Sequence, residues 1–156
     1  MSGWIANPGA VALLDFLAGN ASALETEWAR QQQQEFTNRA TYLCLLTAKL
    51  TDAAITTAAV VGAEASGTGY VRQSVAWGPA SATTRTVSNL DPVIFGPFAD
   101  SGGLNAPVQA AALVTCATGS AGMATMYWEL STPLTTAQNQ VVSLPAGQLV
   151  MGLATS

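Results

Sequence analysis

Short apolar runs alternate with glycine-rich turn segments from residue 41 to the end of the chain, and this pattern restricts the fold more than any other feature. About seven runs of strand length predict a mainly β fold, an antiparallel β-sandwich or barrel. A parallel fold would need helices between the strands, and no helical pattern separates these runs. Residues 51–61, rich in alanine and threonine, are compatible with either a short helix or a loop. The predicted strands are 41–48, 69–77, 93–98, 108–116, 123–130, 140–144 and 148–153.

Side-chain alternation within two of these runs assigns their aromatic residues to different faces. Val71 and Trp77 share one phase, and Trp128 shares the phase of its apolar neighbours, so both tryptophans are predicted to pack in the core. Tyr70 and Tyr127 have the opposite phase. The two tyrosines are therefore candidates for a surface contact, either with another subunit or with a ligand.

The chain before residue 41 carries helix signals instead. Residues 1–40 are predicted to form an N-terminal helical arm for assembly, and residues 41–156 to form the β-sandwich domain. The Asn7-Pro8 pair marks the start of a first helix, and a capping box at residues 22–25 opens a second one. The first helix has an apolar stripe with little chain available to cover it, so the arm is predicted to anchor the chain in an assembly. The candidate assembly contacts are Trp4, Val11, Leu14, Leu17, Trp28, Tyr70 and Tyr127.

Charged residues make up only 9% of the chain, against about 25% in an average protein. A free monomer with so few charges is poorly designed for solubility, so we expect much of the surface to be covered in a homo-oligomer or larger assembly. The five basic residues are scattered and the net charge is −4, which argues against nucleic-acid binding. No apolar run is long enough to span a membrane, and no basic amphipathic stretch suits a membrane surface.

The chain lacks histidine, which removes the usual general base, metal ligand and activator of nucleophiles. Cys44 and Cys116 both lie in apolar runs and are expected to be reduced, buried thiols. No two of the nine acidic residues form a recognisable catalytic pair. We therefore expect no enzymatic activity, no metal and no cofactor, and we consider a small-molecule ligand unfavoured by the sequence.

Five segments together resemble a family of small tailed-phage virion proteins, which comprises tail fibre proteins and capsid decoration or cement proteins. A leucine-rich strand is followed by a Gly-Tyr-x-Arg strand, a Tyr-Trp strand leads into a proline turn, and a Leu-x-x-Gly strand ends the chain. The resemblance implies a β-sandwich-like domain and a structural role in the virion. The matching segments are 41–48, 66–80, 94–98, 126–133 and 144–149.

Within this family, the function expected for the chain is that of a capsid decoration protein. It would be made in the cytoplasm of the bacterial host, bind the major capsid protein on the capsid exterior and bridge coat subunits, as a trimer if it follows the lattice symmetry. One alternative is a tail or tail-fibre-associated protein. Another is a carbohydrate-binding module for host attachment, in which Tyr70 and Tyr127 stack on sugar rings.

Overall fold

A computed structural model describes Leu14, residues 40–51 and residues 55–152. The described residues form eight strands and one short helix, and every strand pair is antiparallel, so the predicted mainly β fold class is confirmed. They divide into two compact units. The larger unit comprises residues 40–75 and 92–144, and the smaller unit comprises residues 76–91 and the segment from Pro145 onward. The elements are β1 (Tyr42–Leu46), α1 (Thr57–Ala63), β2 (Gln73–Ser74), β3 (Thr86–Ser88), β4 (Val93–Phe95), β5 (Val108–Val114), β6 (Ala124–Leu134), β7 (Val142–Leu144) and β8 (Val150–Gly152).

The larger unit is built on a four-stranded sheet in the order β2-β1-β5-β6. The central strands β1 and β5 are buried on both faces, which explains why they appear in the sequence as continuous apolar runs without alternation. One face carries Cys44 and Leu46 on β1 beside alanines of β5, and Val60 and Ala63 of α1 pack against it. Small side chains on β5 allow the helix to lie close to the sheet.

Helix α1 occupies the second half of the segment that the sequence left open between helix and loop. Thr56 caps its start by accepting a hydrogen bond from the Ala59 N–H at 3.2 Å. The helix ends at Ala63, and the C-cap residue Glu64 has an extended backbone. The chain then runs along β1, where the Ala65 N–H donates to the Leu45 carbonyl at 2.8 Å. This places the Glu64 side chain next to the sheet.

Strands β4 and β7 form a two-stranded sheet in the larger unit, with Phe95 and Phe98 fully buried. Strand β4 ends at Phe95, three residues before the end of the predicted strand 93–98, and Gly96-Pro97 follows it directly. Gly96 has a φ of +93°, and a Cβ at this position would lie 2.8 Å from the Gln140 carbonyl oxygen. Only glycine fits this crossing of two chain segments.

The smaller unit contains the β3–β8 pair and an isolated bridge between Trp77 and Asn89. Trp77 is 5% exposed, which confirms its predicted place in the core. The buried Asn89 side chain donates to the carbonyls of Asp91 and Pro145, at 2.8 and 3.1 Å, and accepts from the Leu149 N–H at 2.9 Å. Asn89 therefore fixes the turn that leads into β8.

Three further details of the predicted strands are wrong. Only Gln73–Ser74 of the predicted strand 69–77 pairs as a strand, and Val71, which precedes it, is 63% exposed. Strand β3 was not predicted, since its polar sequence carries no apolar alternation. Trp128 is half-buried instead of lying in the core, because the edge strand β6 is covered incompletely.

The predicted helical arm falls almost entirely outside the described residues. Of residues 1–39, only Leu14 is described, and it is helical and 2% exposed. The division into an arm (1–40) and a β-domain (41–156) therefore stays a prediction. Among the described helical residues, no helix has the length and apolar character that a membrane span requires.

Candidate functional site

A buried ion pair joins the end of α1 to the chain before β2. The Arg72 Nε and Nη2 atoms donate to the two carboxylate oxygens of Glu64 at 2.9 and 2.7 Å. The two side chains are only 4% and 15% exposed. A two-pronged pairing of this kind is the strongest geometry available to arginine and a carboxylate. Hydrogen bonding to the Glu64 carboxylate is the main reason that the pKa of Arg72 is raised above its usual value.

The same guanidinium also reaches the loop between β5 and β6. Its Nη1 atom donates to the Cys116 carbonyl oxygen at 2.9 Å and to the Cys116 sulfur at 3.1 Å. Arg72 thus connects three segments that are distant in sequence: the end of α1, the approach to β2 and the end of β5. Its role in this arrangement is that of a cross-link inside the larger unit.

Tyr70 completes this network on the β1 side. Its hydroxyl donates to Glu64 Oε1 at 3.0 Å and accepts a hydrogen bond from the Leu45 N–H at 3.0 Å. Its ring stacks on Phe95, with ring centroids 5.9 Å apart and planes 7° from parallel. Burial, followed by the nearby Glu64 charge, raises the pKa of the Tyr70 hydroxyl above its usual value. Tyr70 therefore stays protonated and keeps donating to the carboxylate.

An open cleft of about 230 Å³ lies beside this network. Arg72 and Glu64 at its base are already paired with each other. Among the described residues, no buried side-chain nitrogen or oxygen lacks a hydrogen-bond partner. The charged side chains among its lining residues therefore already have partners within the chain. Its lining residues are Glu64, Tyr70, Val71, Arg72, Ala117, Thr118 and Gly119.

The two cysteines lie near the same face of the sheet as free thiols. Cys44 is fully buried and donates to the Ala112 carbonyl at 3.3 Å. Burial is the main cause that raises its pKa to about 12, so this thiol stays protonated. Within the part of the chain that the structure describes, no group of three or more histidine, cysteine or acidic residues is arranged to hold a metal ion.

Strand β6 offers a different kind of surface, because it lies at the edge of the four-stranded sheet. Most of its side chains are half-buried on both faces. A β-bulge shifts its register, since Val114 faces Ala124 while Leu113 faces Met126. This bulge puts Ala124 and Tyr127 on the α1 face of the sheet together, against the strict alternation that the sequence predicts.

The two predicted surface tyrosines are both half-buried, and each supports the backbone near β1. The Tyr127 hydroxyl accepts a hydrogen bond from the Leu50 N–H at 2.9 Å, as Tyr70 does from Leu45. Each belongs to a different set of contacts, and the structure does not bring them together as one platform. Trp4, Val11, Leu17 and Trp28 lie outside the described residues, and Leu14 is buried.

The described surface also carries large apolar side chains that the sequence did not single out for contacts. They are distributed over both units, and two of them, Ile94 and Val150, lie in strands. Each of these two stands between buried apolar residues in an apolar run, so the sequence pattern does not mark it as exposed. The exposed apolar residues are Val61, Val71, Leu90, Ile94, Met123, Val141 and Val150.

A family model described as "Podophage GP4 fiber I protein gp80" matches residues 19–152 of the chain. The matched region takes in all eight described strands, the ion-pair network and the edge strand β6. No curated protein matches the chain.

Proposed function

The chain belongs to the podophage GP4 fibre I protein gp80 family, and from this we propose that it is a structural subunit of the tail-fibre apparatus. Its membership makes it a phage virion protein of the fibre type. The observation that carries the proposal is the extent of the match, which spans both units of the fold and is not confined to one motif.

The proposed role is mechanical and depends on contacts instead of on a reaction. The Arg72–Glu64 pair and its hydrogen bonds cross-link three segments of the larger unit, which suits a part that must keep its shape under load. The low charge content favours burial of surface against neighbours in the particle. We propose that copies of the chain and other virion proteins are its partners, and that it needs no cofactor and catalyses no reaction.

The placement on the capsid exterior, with the major capsid protein as partner and a trimeric state, stays a prediction. The description of the matching family names a fibre and gives this placement no support. The carbohydrate-binding alternative is less favoured by the geometry, because the Tyr70 ring is already stacked on Phe95. A glycan array with the wild-type chain and a Tyr127→Ala variant tests that alternative.

Labelled antibody on purified particles tests the proposed location. We expect label on the tail, with an antibody against the major capsid protein as the control that marks the head. Label over the head instead would contradict the tail-fibre proposal and favour the decoration role. If intact particles and their dissociated proteins both lack the chain, it has no structural place in the virion.

A further inference from the structure

The strands of the smaller unit have a buried apolar face. Val87 of β3 pairs with Met151 of β8, and Trp77 pairs with Asn89 in the isolated bridge. Because side chains alternate along a strand, these four residues and Leu149 lie on the same face. Each of them is at most 5% exposed. The apolar members of this set, Trp77, Val87, Leu149 and Met151, form what we call the inner face.

The strands are covered from the side of the inner face only. Leu90 and Val150, which alternate with its residues along the chain, are 58% and 43% exposed. Strands β3 and β8 have three residues each, and so small a sheet needs a further layer to bury one of its faces. The loop 79–85 of the same unit does not supply this layer, because none of its residues is buried.

Leu14 has the properties that a side chain of this layer requires. It is helical, it is 2% exposed, and it belongs to the smaller unit. Among the described residues of this unit, it is the one buried apolar side chain that does not lie on the inner face. Leu14 is buried within a single copy of the chain, so no second copy is needed to cover it.

We propose that Leu14 packs against the inner face and holds the N-terminal part of the chain to the smaller unit. A helical residue on an apolar sheet face gives the two layers that a small core needs. The sequence predicted that Leu14 would contact a partner in an assembly. In this arrangement Leu14 is used inside its own chain, so other residues anchor the chain in the particle. This packing does not depend on where the particle carries the chain.

Hydrogen–deuterium exchange of the full chain tests this packing. Leu14→Asp would place an unpaired carboxylate against the apolar side chains of the inner face. We expect the backbone amides of β3 and β8 to exchange at least about tenfold faster in this variant, while those of β1 and β5 keep their rates. Leu90→Asp is the matched control, because it makes the same replacement in the same unit at an exposed residue. It should change the exchange rates by less than about twofold.

Three outcomes of this experiment would contradict the packing. Equal exchange rates in the wild type and in Leu14→Asp would show that Leu14 does not cover the inner face. An equal acceleration in β1 and β5 would mean that Leu14 supports the whole fold and not the smaller unit. The wild-type rates should also be the same at chain concentrations about tenfold apart, and protection of β3 and β8 that weakens on dilution would assign the cover to a second copy.

Double-variant cycles decide the question if Leu14→Asp does not fold. Leu14→Ala is combined in turn with Met151→Ala and Val87→Ala, and at least one pair should show coupling of about threefold or more in the unfolding equilibrium constant. Leu14→Ala with Val60→Ala is the control, because Val60 is as deeply buried but packs in the larger unit. The effects of this control pair should multiply to within about twofold. Coupling to Val60 alone, or to none of the three, overturns the packing on the inner face.

Discussion

Replacement of Arg72 by methionine tests whether the buried ion pair holds the larger unit together. Methionine keeps most of the aliphatic stem, so the variant chiefly removes the guanidinium and its hydrogen bonds to Glu64 and Cys116. The Glu64 carboxylate, 15% exposed, would then keep only the Tyr70 hydroxyl as a partner. An unpaired carboxylate at such a buried position is strongly destabilising, because it has lost both water and its counter-charge.

The expected loss is about 3–5 kcal/mol, which is typical for breaking one side of a buried pair. For a chain of this size, that loss corresponds to a fall in melting temperature of about 6–20 °C. The measurement is thermal unfolding of the full chain followed by far-UV circular dichroism. Urea unfolding of the same samples then gives the change in the free energy of unfolding.

The chain offers a matched control in its other ion pair. Lys49 and Glu129 lie 2.8 Å apart with side chains 46% and 48% exposed, so water screens their charges. Lys49→Met removes the same formal charge as Arg72→Met and should leave the melting temperature almost unchanged. A double variant, Glu64→Leu/Arg72→Met, should recover much of the stability, because it leaves no buried charge behind. The reasoning fails if Arg72→Met and Lys49→Met have equal effects.

Three further predictions concern pH and single hydrogen-bonding residues. Because the pKa of Cys44 is raised by folding, the unfolded chain loses the thiol proton at a lower pH than the folded chain. The contribution of Cys44 to the free energy of unfolding is therefore fully present below pH 9 and is lost as the pH approaches 12. Over that range we expect the free energy of unfolding to fall by up to about 4 kcal/mol. Urea unfolding at stepped pH should show that the free energy of unfolding falls less steeply with pH in Cys44→Ala than in the wild type. An equal dependence on pH in both would contradict the assignment to Cys44. Tyr127→Phe leaves the Leu50 N–H without its acceptor and should reduce the free energy of unfolding by about 1 kcal/mol, whereas no loss would mean that water replaces the hydroxyl. Asn89→Ala removes the three hydrogen bonds of the buried Asn89 side chain and should destabilise the chain by about 3 kcal/mol, measured in the same way. A loss as small as that of Tyr127→Phe would contradict its role in fixing the turn that leads into β8.

The sequence by itself determined those features that depend on local pattern. The continuous apolar runs of β1 and β5 predict strands, because burial on both faces requires apolar residues at every position. Gly96-Pro97 interrupts the apolar run 93–98, and β4 ends at Phe95 immediately before this pair. The resemblance to tailed-phage virion proteins is confirmed for the fibre type, because the family model matches residues 19–152, and the capsid decoration type stays a prediction.

The tertiary structure decided the features that depend on which segments become neighbours. Arg72 and Glu64 pair only because α1 ends beside β1 and the approach to β2 passes the same place. The bulge in β6 reverses the phase of Ala124 against the residues that follow it, and a bulge is defined by the partner strand. The place of β6 at the end of the four-stranded sheet follows from the strand order, which the pattern within a single strand does not encode. Local sequence therefore specified the elements, while long-range packing specified the ion-pair network and the order of the strands.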